Sequence, residues 1–217
     1  MKKQLFGLLL FLLPYISVAA EHGIQLEKAN INLKDKASLQ RGAILFSNYC
    51  MACHSLKYMR YNRIARDLGW TDDEIIKKMA YGQAKPVDDV MTRMLPGVAM
   101  EVLGTKVPDL SLMARLKGPD YIYTFLKGFE YDEKTKKWDN KVLHGTAMPN
   151  ILEDVQRQAP KEKYDQDVRD ITNFLDYVGE PIKLERQSLG WKVMLFLFIF
   201  FIITYLLKKE YWRDIKH

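Results

Sequence analysis

Apolar residues recur every three or four positions at both ends of the region between residues 39 and 178, which predicts one amphipathic helix at each end. The apolar positions of the first helix are Leu39, Ala43, Phe46 and Cys50. Those of the last helix are Val168, Ile171, Leu175 and Val178. A glycine at position 179 and a proline at position 181 end this last helix.

Two shorter helices are predicted between these two. Thr71 and Glu74 have the spacing of a capping box, which starts a helix over residues 73–81 that Gly82 closes. A proline just before and a glycine just after bracket a second helix over residues 120–127. The pattern as a whole therefore indicates a mainly α chain of short helices.

Long connections lie between these helices, over residues 84–107 and 129–150. Connections of this length are uncommon in a compact domain unless they have a task, and enclosing a cofactor is one such task. The charged segment 130–141 contains Tyr131 and Trp138, and it is predicted to form an exposed loop or a hairpin.

The longest apolar run lies near the C-terminus. Residues 193–207 carry no charge, and extension back to Leu189 gives a helix of about 28 Å, enough to cross a hydrocarbon core. Trp191 and Lys192 suit the membrane interface, where a lysine can extend its ammonium group towards water. The apolar surface continues all round the helix, which argues against a buried core helix. We therefore expect a transmembrane anchor over residues 189–207.

The N-terminus has the pattern of an export signal. Two lysines precede an apolar run over residues 5–13, and small residues at positions 18–20 form a cleavage site. The run is short for a bilayer span, so a retained anchor is the weaker alternative. We expect cleavage after Ala20. The tail over residues 208–217 has four basic and two acidic residues, which places it in the cytoplasm and the bulk of the chain in the periplasm.

Net charge adds little beyond topology. The chain carries a formal +6, but the signal, Lys192 and the tail account for most of it and leave +1 for residues 21–190. Nucleic-acid binding therefore has no support. Residues 153–185 hold nine acidic and five basic residues, which indicates either a solvated helical face or a surface that attracts a basic redox partner.

The strongest chemical signal is the string Cys50-Met51-Ala52-Cys53-His54. C-x-x-C-H is the attachment motif of a c-type haem, in which two thiols form thioethers to the haem vinyl groups and the histidine binds the iron. The chain has no other cysteine. Export agrees with the motif, because covalent haem attachment in bacteria takes place outside the cytoplasmic membrane.

Other interpretations of the motif fit less well. A structural zinc site needs four protein ligands, and the remaining histidines of the chain are not paired at zinc-finger spacing. A thioredoxin-like pair would lie in a βαβ pattern, which the neighbouring sequence lacks. A structural disulfide needs no adjacent histidine.

These observations together predict the organisation of the chain. Residues 1–20 form a cleaved signal peptide, and residues 21–188 form one haem domain of ordinary size, cytochrome c-like, with long loops that wrap the haem. Residues 189–207 form the anchor, and residues 208–217 form a basic cytoplasmic tail. Such a chain lies in the bacterial inner membrane as a single-pass protein.

The first and last helices carry the residues for a close crossing. Gly42 and Phe46 lie one turn apart on the first helix, directly before the haem motif. In small cytochromes c a glycine and an aromatic residue at this spacing allow the two helices to pack together. Phe174 and Tyr177 are available on the last helix.

The sixth ligand of the iron distinguishes electron transfer from ligand-binding chemistry. Met148 is the best candidate, because Gly145 allows close backbone approach and Pro149 stiffens the loop. His144 is the second candidate and Met100 the third. A thioether ligand raises the potential relative to a second histidine.

The chain resembles the cytochrome c1 family of haem-bearing subunits of quinol–cytochrome c oxidoreductase, the bc1 complex, in its proteobacterial form. The resemblance covers almost all of the mature chain. The segments that carry it are CMACHSLKYMRYNRIARDLGW, VPDLSLMARLKGPDYIYTFLKGF, TAMPN and DITNFLDYVGEP, followed by the C-terminal anchor.

The resemblance implies roles for individual residues. Cys50 and Cys53 would hold haem c, with His54 as proximal and Met148 as distal ligand. Pro108 would pack by the haem, and the basic residues after P-D-L-S, Arg115 and Lys117, would lie near a haem propionate. The family commonly has arginine at the second of these positions, and lysine cannot form the same bidentate pair with a carboxylate.

The resemblance also implies function and partners. Single electrons would pass from the Rieske iron–sulfur subunit through the haem to a cytochrome c, within a respiratory complex that contains cytochrome b and is dimeric. The chain by itself would be an electron carrier. A free-standing membrane-anchored cytochrome that feeds an oxidase or reductase, and a peroxidase-like enzyme with a vacant distal site, are the alternatives.

Overall fold

The computed structural model describes residues 24–133 and 136–214, so the predicted signal peptide lies outside the described residues. The chain is mainly helical, as predicted. The helices are α1 Lys36–Leu45, α2 Tyr61–Leu68, α3 Asp72–Met79, α4 Pro96–Leu103, α5 Met113–Lys117, α6 Pro119–Lys127, α7 Glu153–Gln158, α8 Lys161–Gly179 and α9 Lys183–Tyr211. The strands are β1 Leu56–Arg60, β2 Asp89–Val90, β3 Phe129–Asp132 and β4 Lys137–Asn140, paired antiparallel as β1–β2 and β3–β4.

The crossing of α1 and α8 forms the centre of the core, as the sequence predicted. A Cβ atom on Gly42 would lie 2.0 Å from the Asp170 backbone oxygen, so no residue with a side chain fits there without movement of a helix. One turn later, the rings of Phe46 and Phe174 pack with their centroids 5.8 Å apart, and both are fully buried. Tyr177 extends the aromatic contact, with its ring centroid 6.1 Å from that of Phe174.

A buried carboxylate joins the two helices beside this contact. Asp170 is 2% exposed, and its oxygens accept hydrogen bonds from the Ser38 hydroxyl at 2.6 Å and the Arg41 Nε at 2.6 Å. The pairing with Asp170 raises the pKa of Arg41. Loss of Arg41 would leave the buried Asp170 carboxylate without its charged partner, so the ion pair helps to hold α1 against α8.

Helix α1 continues without a break towards the haem motif. Residues Phe46–Cys50 form one π-helical turn, in which the Met51 amide donates to the Phe46 carbonyl at 2.9 Å. The motif therefore starts on the same continuous backbone that packs against α8, and its position follows from that packing.

The two shorter predicted helices are present. Thr71 and Glu74 form both hydrogen bonds of the capping box, and α3 ends at Met79, two residues earlier than expected. Tyr81 and Gly82 both have left-handed backbones, with φ of +52° and +76°, and the Gly82 amide donates to the Ile76 carbonyl at 3.1 Å where the helix ends. Helix α6 begins at Pro119 and ends at Lys127.

Both long connections contain structure. Strands β3 and β4 pair antiparallel as a hairpin, in which Tyr131 lies opposite Trp138 with their ring centroids 5.6 Å apart. The connection over residues 84–107 contains β2 and the eight-residue helix α4, neither of which the sequence pattern indicated. The sequence of α4, PGVAMEVL, is apolar at nearly every position, so it has no helical period of apolar and polar residues that could predict it. Most of its apolar side chains are exposed.

Helix α9 is 29 residues long, or about 44 Å, and none of its residues is buried. It is long and apolar enough to cross a membrane. It begins at Lys183, six residues before the predicted start of the span. The alternative of a buried core helix does not hold, since its apolar side chains are exposed on all sides.

The acidic stretch 153–185 is largely paired within the protein. Six of its nine acidic residues form salt bridges, several of them to residues outside the stretch. The acidic partners in these bridges are Glu153, Asp165, Asp167, Asp170, Asp176 and Glu180. This favours a structural role for the acidic residues over a docking surface for a basic partner.

Replacement of the crossing glycine tests the core. Gly42→Ala should lower the free energy of unfolding by about 1–3 kcal/mol or more, because the new methyl group meets backbone rather than a flexible side chain. Thermal unfolding of the full chain in detergent, followed by circular dichroism, measures the change. Gly97→Ala is the control, since nothing lies within 4 Å of its Cβ position on α4. Equal unfolding temperatures for wild type and Gly42→Ala would contradict the crossing.

Candidate haem site

One cavity brings the predicted site residues together. It has a volume of about 680 Å³, within the range of about 300–1,000 Å³ that cofactor sites occupy. Cys50, Cys53 and His54 line it together with Pro108 and Met148, which lie more than 50 and 90 residues further along the chain. The remaining lining is largely apolar and comes mainly from α6, α8, segment 103–113 and the distal segment 143–151.

The C-x-x-C-H motif forms a tight turn. The amides of Cys53 and His54 both donate to the Cys50 carbonyl, at 3.1 and 2.8 Å. Both thiols are free, and Cys50 is buried whereas Cys53 is partly exposed. Burial raises the pKa of Cys50 to about 12, which is the opposite of the activated thiolate that a thioredoxin-like pair requires.

His54 is oriented by the backbone. Its Nδ1 lies 2.8 Å from the carbonyl oxygen of Pro108, and because a carbonyl only accepts, Nδ1 carries the hydrogen. The other ring nitrogen, Nε2, therefore keeps its lone pair for a metal. The side chain is buried, and burial lowers the pKa of His54, so the neutral imidazole that ligates metals is favoured. Pro108 thus acts on the histidine through its carbonyl.

The residues that follow Pro108 fasten this segment to β1. Asp109 accepts hydrogen bonds from the amides of Lys57 and Ser111, at 2.9 and 3.0 Å. The fully buried Ser111 hydroxyl accepts from the Tyr58 amide at 3.2 Å. These contacts explain in physical terms why P-D-L-S accompanies the haem motif: the aspartate and the serine hold the carbonyl of Pro108 against His54.

The segment after β2 also holds the haem motif in place, and no sequence pattern predicted this contact. The Thr92 hydroxyl donates to the Ala52 carbonyl at 2.7 Å, and the Thr92 amide donates to the Ser55 hydroxyl at 2.9 Å. A lone threonine 40 residues from the motif carries no sequence signal of this contact.

The three candidate distal ligands are placed differently. Met148 is half-buried and lines the cavity. His144 also lines it, but its side chain is 75% exposed and its Nδ1 lies 2.9 Å from an Asp139 carboxylate oxygen. Met100 lies on α4 with 47% of its surface exposed and does not line the cavity. Geometry therefore favours Met148.

Gly145 of the distal loop has a φ of +71°, a left-handed conformation that favours glycine. It also lines the cavity, and no protein atom lies within 4 Å of its Cβ position.

The two basic residues after P-D-L-S do not share one position. Lys117 lines the cavity, and its Nζ lies 5.4 Å from the centroid of the Tyr121 ring. Arg115 does not line the cavity; its backbone nitrogen lies 3.4 Å from the Cβ position of Gly179, at the end of α8. Only Lys117 of the two therefore lines the cavity, and the approach of either residue to a propionate stays a prediction.

This arrangement fits a covalently held haem. Two thiols three residues apart, an imidazole with a free Nε2 and a thioether sulfur line one largely apolar cavity. The two thiols can form thioether bonds to the haem, and the imidazole nitrogen and the methionine sulfur can both bind its iron. Among residues 24–133 and 136–214 no group of three or more His, Cys, Asp or Glu forms a candidate metal site of another kind.

Comparison with known proteins gives a consistent assignment. The family model described as Cytochrome C1 family matches residues 27–215. The chain is 43% identical over 244 aligned residues to cytochrome c1 of Allochromatium vinosum, covering 99% of this chain and 100% of that protein. It is 30% identical to cytochrome c1 of Rhodospirillum rubrum, with 92% of each chain covered. It is also 38% identical to a protein of Nitrosomonas europaea named ammonia monooxygenase gamma subunit, with 96% of each chain covered. The chain belongs to the cytochrome c1 family.

Proposed function

We propose that this chain accepts single electrons from a Rieske iron–sulfur protein and delivers them to a cytochrome c, as the haem-bearing subunit of a bc1 complex. Membership of the cytochrome c1 family supports the coarser part of this statement, an electron-transfer subunit with a covalent c-type haem. The observation that carries the proposal is the largely apolar cavity that the C-x-x-C-H motif, Pro108 and Met148 line together.

Cys50 and Cys53 would hold the haem through thioethers, and His54 and Met148 would be the two protein ligands of its iron. When bound, the group supplies a one-electron ferric–ferrous couple. The protein supplies its surroundings. The apolar walls of α6 and α8 exclude water, and the Pro108 carbonyl holds His54 in the ligating tautomer. Lys117 would offer a propionate one point charge rather than a bidentate pair.

The haem domain would lie on the periplasmic side, with α9 as the anchor. The positive tail after the apolar run supports this orientation. The chain would then consist of a signal peptide to residue 20, a haem domain to residue 188 and a membrane span to residue 207. Cytochrome b and the Rieske protein are the expected neighbours in a dimeric complex. No residue of this chain needs to act as an acid, base or nucleophile.

Purification tests the assignment to a complex. Extraction of the native membrane in mild detergent through a tag on this chain should bring cytochrome b and a Rieske protein in amounts equal to it. A tagged chain that is haem-loaded but arrives without cytochrome b would contradict the proposal and favour a free-standing membrane-anchored carrier.

Substitution of the distal sulfur tests the ligand. Met148→Leu should lower the midpoint potential of the haem and stop its reduction by a Rieske centre, while the haem stays attached through Cys50 and Cys53. A redox titration of the purified protein measures the potential. Met113→Leu is the matched control, because Met113 lines the same cavity and should leave the potential near that of the wild type. An unchanged midpoint in Met148→Leu would remove Met148 as ligand.

A further inference from the structure

The distal loop carries Met148, yet the hydrogen bonds that fix this loop come from two adjacent side chains at the end of strand β4. Asp139 and Asn140 precede Met148 by nine and eight residues. Neither lines the cavity. We propose that Asp139 and Asn140 are positioning residues, a clamp that holds the loop of residues 142–148 so that the Met148 sulfur stays at the iron. The inference rests on the proposed function, because it takes Met148 as the distal ligand.

Asn140 ties the start of the loop to the wall of the cavity. It is fully buried, and its Nδ2 donates to the Phe125 carbonyl at 2.7 Å. Its Oδ1 accepts from the amides of Val142 and Leu143, at 2.9 and 3.3 Å. Phe125 belongs to α6 and itself lines the cavity, so Asn140 fixes the first loop residues relative to the haem site. Its amide side chain offers a donor and an acceptor, and both are used here.

Asp139 holds the next two residues. One carboxylate oxygen accepts from the Gly145 amide at 2.9 Å, and the other lies 2.9 Å from Nδ1 of His144. The contacts to His144 and to backbone amides lower the pKa of Asp139 to about 2, so the carboxylate is charged throughout the neutral range. Gly145 is the residue in the left-handed conformation, where the chain turns towards Met148. Asp139 therefore fixes the turn three residues before the sulfur.

The part of the loop beyond the turn is held less firmly. The Met148 amide makes one long hydrogen bond, 3.4 Å to the hydroxyl of Thr146. The next firm point is Asn150, which is buried and donates to the Gln156 side chain at 2.7 Å. The sulfur is thus carried by a short span between two fixed ends, and release of the upstream end should let it leave the iron more often.

The rate at which cyanide binds to the ferric protein measures how often the distal position opens. In the full-length haem-loaded protein, Asp139→Ala should bind cyanide about three- to tenfold faster than the wild type, the range expected when one or two partly exposed hydrogen bonds are lost. Asp139→Asn should be intermediate, since it keeps an acceptor for Gly145. Met148→Leu gives the rate of a permanently open site and should exceed both.

The matched control is Glu130→Gln. Glu130 pairs with Asp139 across the hairpin, its side chain is 71% exposed, and its nearest ion-pair partner is 3.9 Å away. The Glu130→Gln substitution removes one negative charge close to Asp139, but Glu130 makes no hydrogen bond to the loop. Cyanide should therefore bind to this variant at the wild-type rate. Haem content and unfolding temperature are measured on every variant, to separate loop release from general loss of structure.

Each outcome is decisive. Wild-type cyanide rates in both Asp139 variants would overturn the clamp, and so would an equal increase in Glu130→Gln. If Asp139→Ala does not accumulate with haem, Asp139→Asn and His144→Ala each remove part of the clamp, and unchanged rates in both would overturn it. A wild-type protein that binds cyanide as fast as Met148→Leu would instead remove Met148 as ligand, which is failure of the proposed function.

Discussion

The close contact of α1 with α8 at Gly42 is the constraint on which the rest of the structure depends. The backbone of Asp170 occupies the space that a side chain at position 42 would need, and Phe46 packs on Phe174 one turn later. Because the π-helical turn Phe46–Cys50 continues α1, this packing also sets where the haem motif begins. Core packing and cofactor attachment are therefore one structural feature.

The two proposed iron ligands are held by different means, and each depends on segments far away in sequence. His54 is held by the Pro108 carbonyl, which the Asp109 and Ser111 contacts fasten to β1. Met148 lies on a loop whose upstream end is fixed by the β3–β4 hairpin. A site with groups held in place before the electron arrives needs little rearrangement when the charge of the iron changes, which suits a carrier of single electrons.

Much of this could be predicted from the sequence because the signals are local. The capping box at Thr71, the proline at the start of α6 and the apolar period of α8 each depend on residues within a few positions of one another. The C-x-x-C-H string is likewise local, and its residue types alone indicate haem attachment. The contact of Gly42 with α8 could be anticipated only because the spacing of Gly42 and Phe46 resembles that of small cytochromes c.

The rest depended on contacts that no local pattern records. Thr92 approaches Ala52 across 40 residues, and Asp139 reaches Gly145 around a turn whose conformation is set by a positive φ. Helix α4 was missed because its sequence, PGVAMEVL, is apolar at nearly every position and shows no helical period of apolar and polar residues. Tertiary packing decides each of these features.

The central claim is that one iron is held between His54 of the attachment motif and Met148 of the distal loop. The absorption spectrum of the purified ferric protein tests it most directly, because sulfur ligation of ferric haem produces a charge-transfer band that a second histidine or a water ligand does not. The account predicts this band in the full-length protein, with the haem retained by the chain in acidified acetone. A ferric spectrum without the band, or haem that acetone removes, would contradict it.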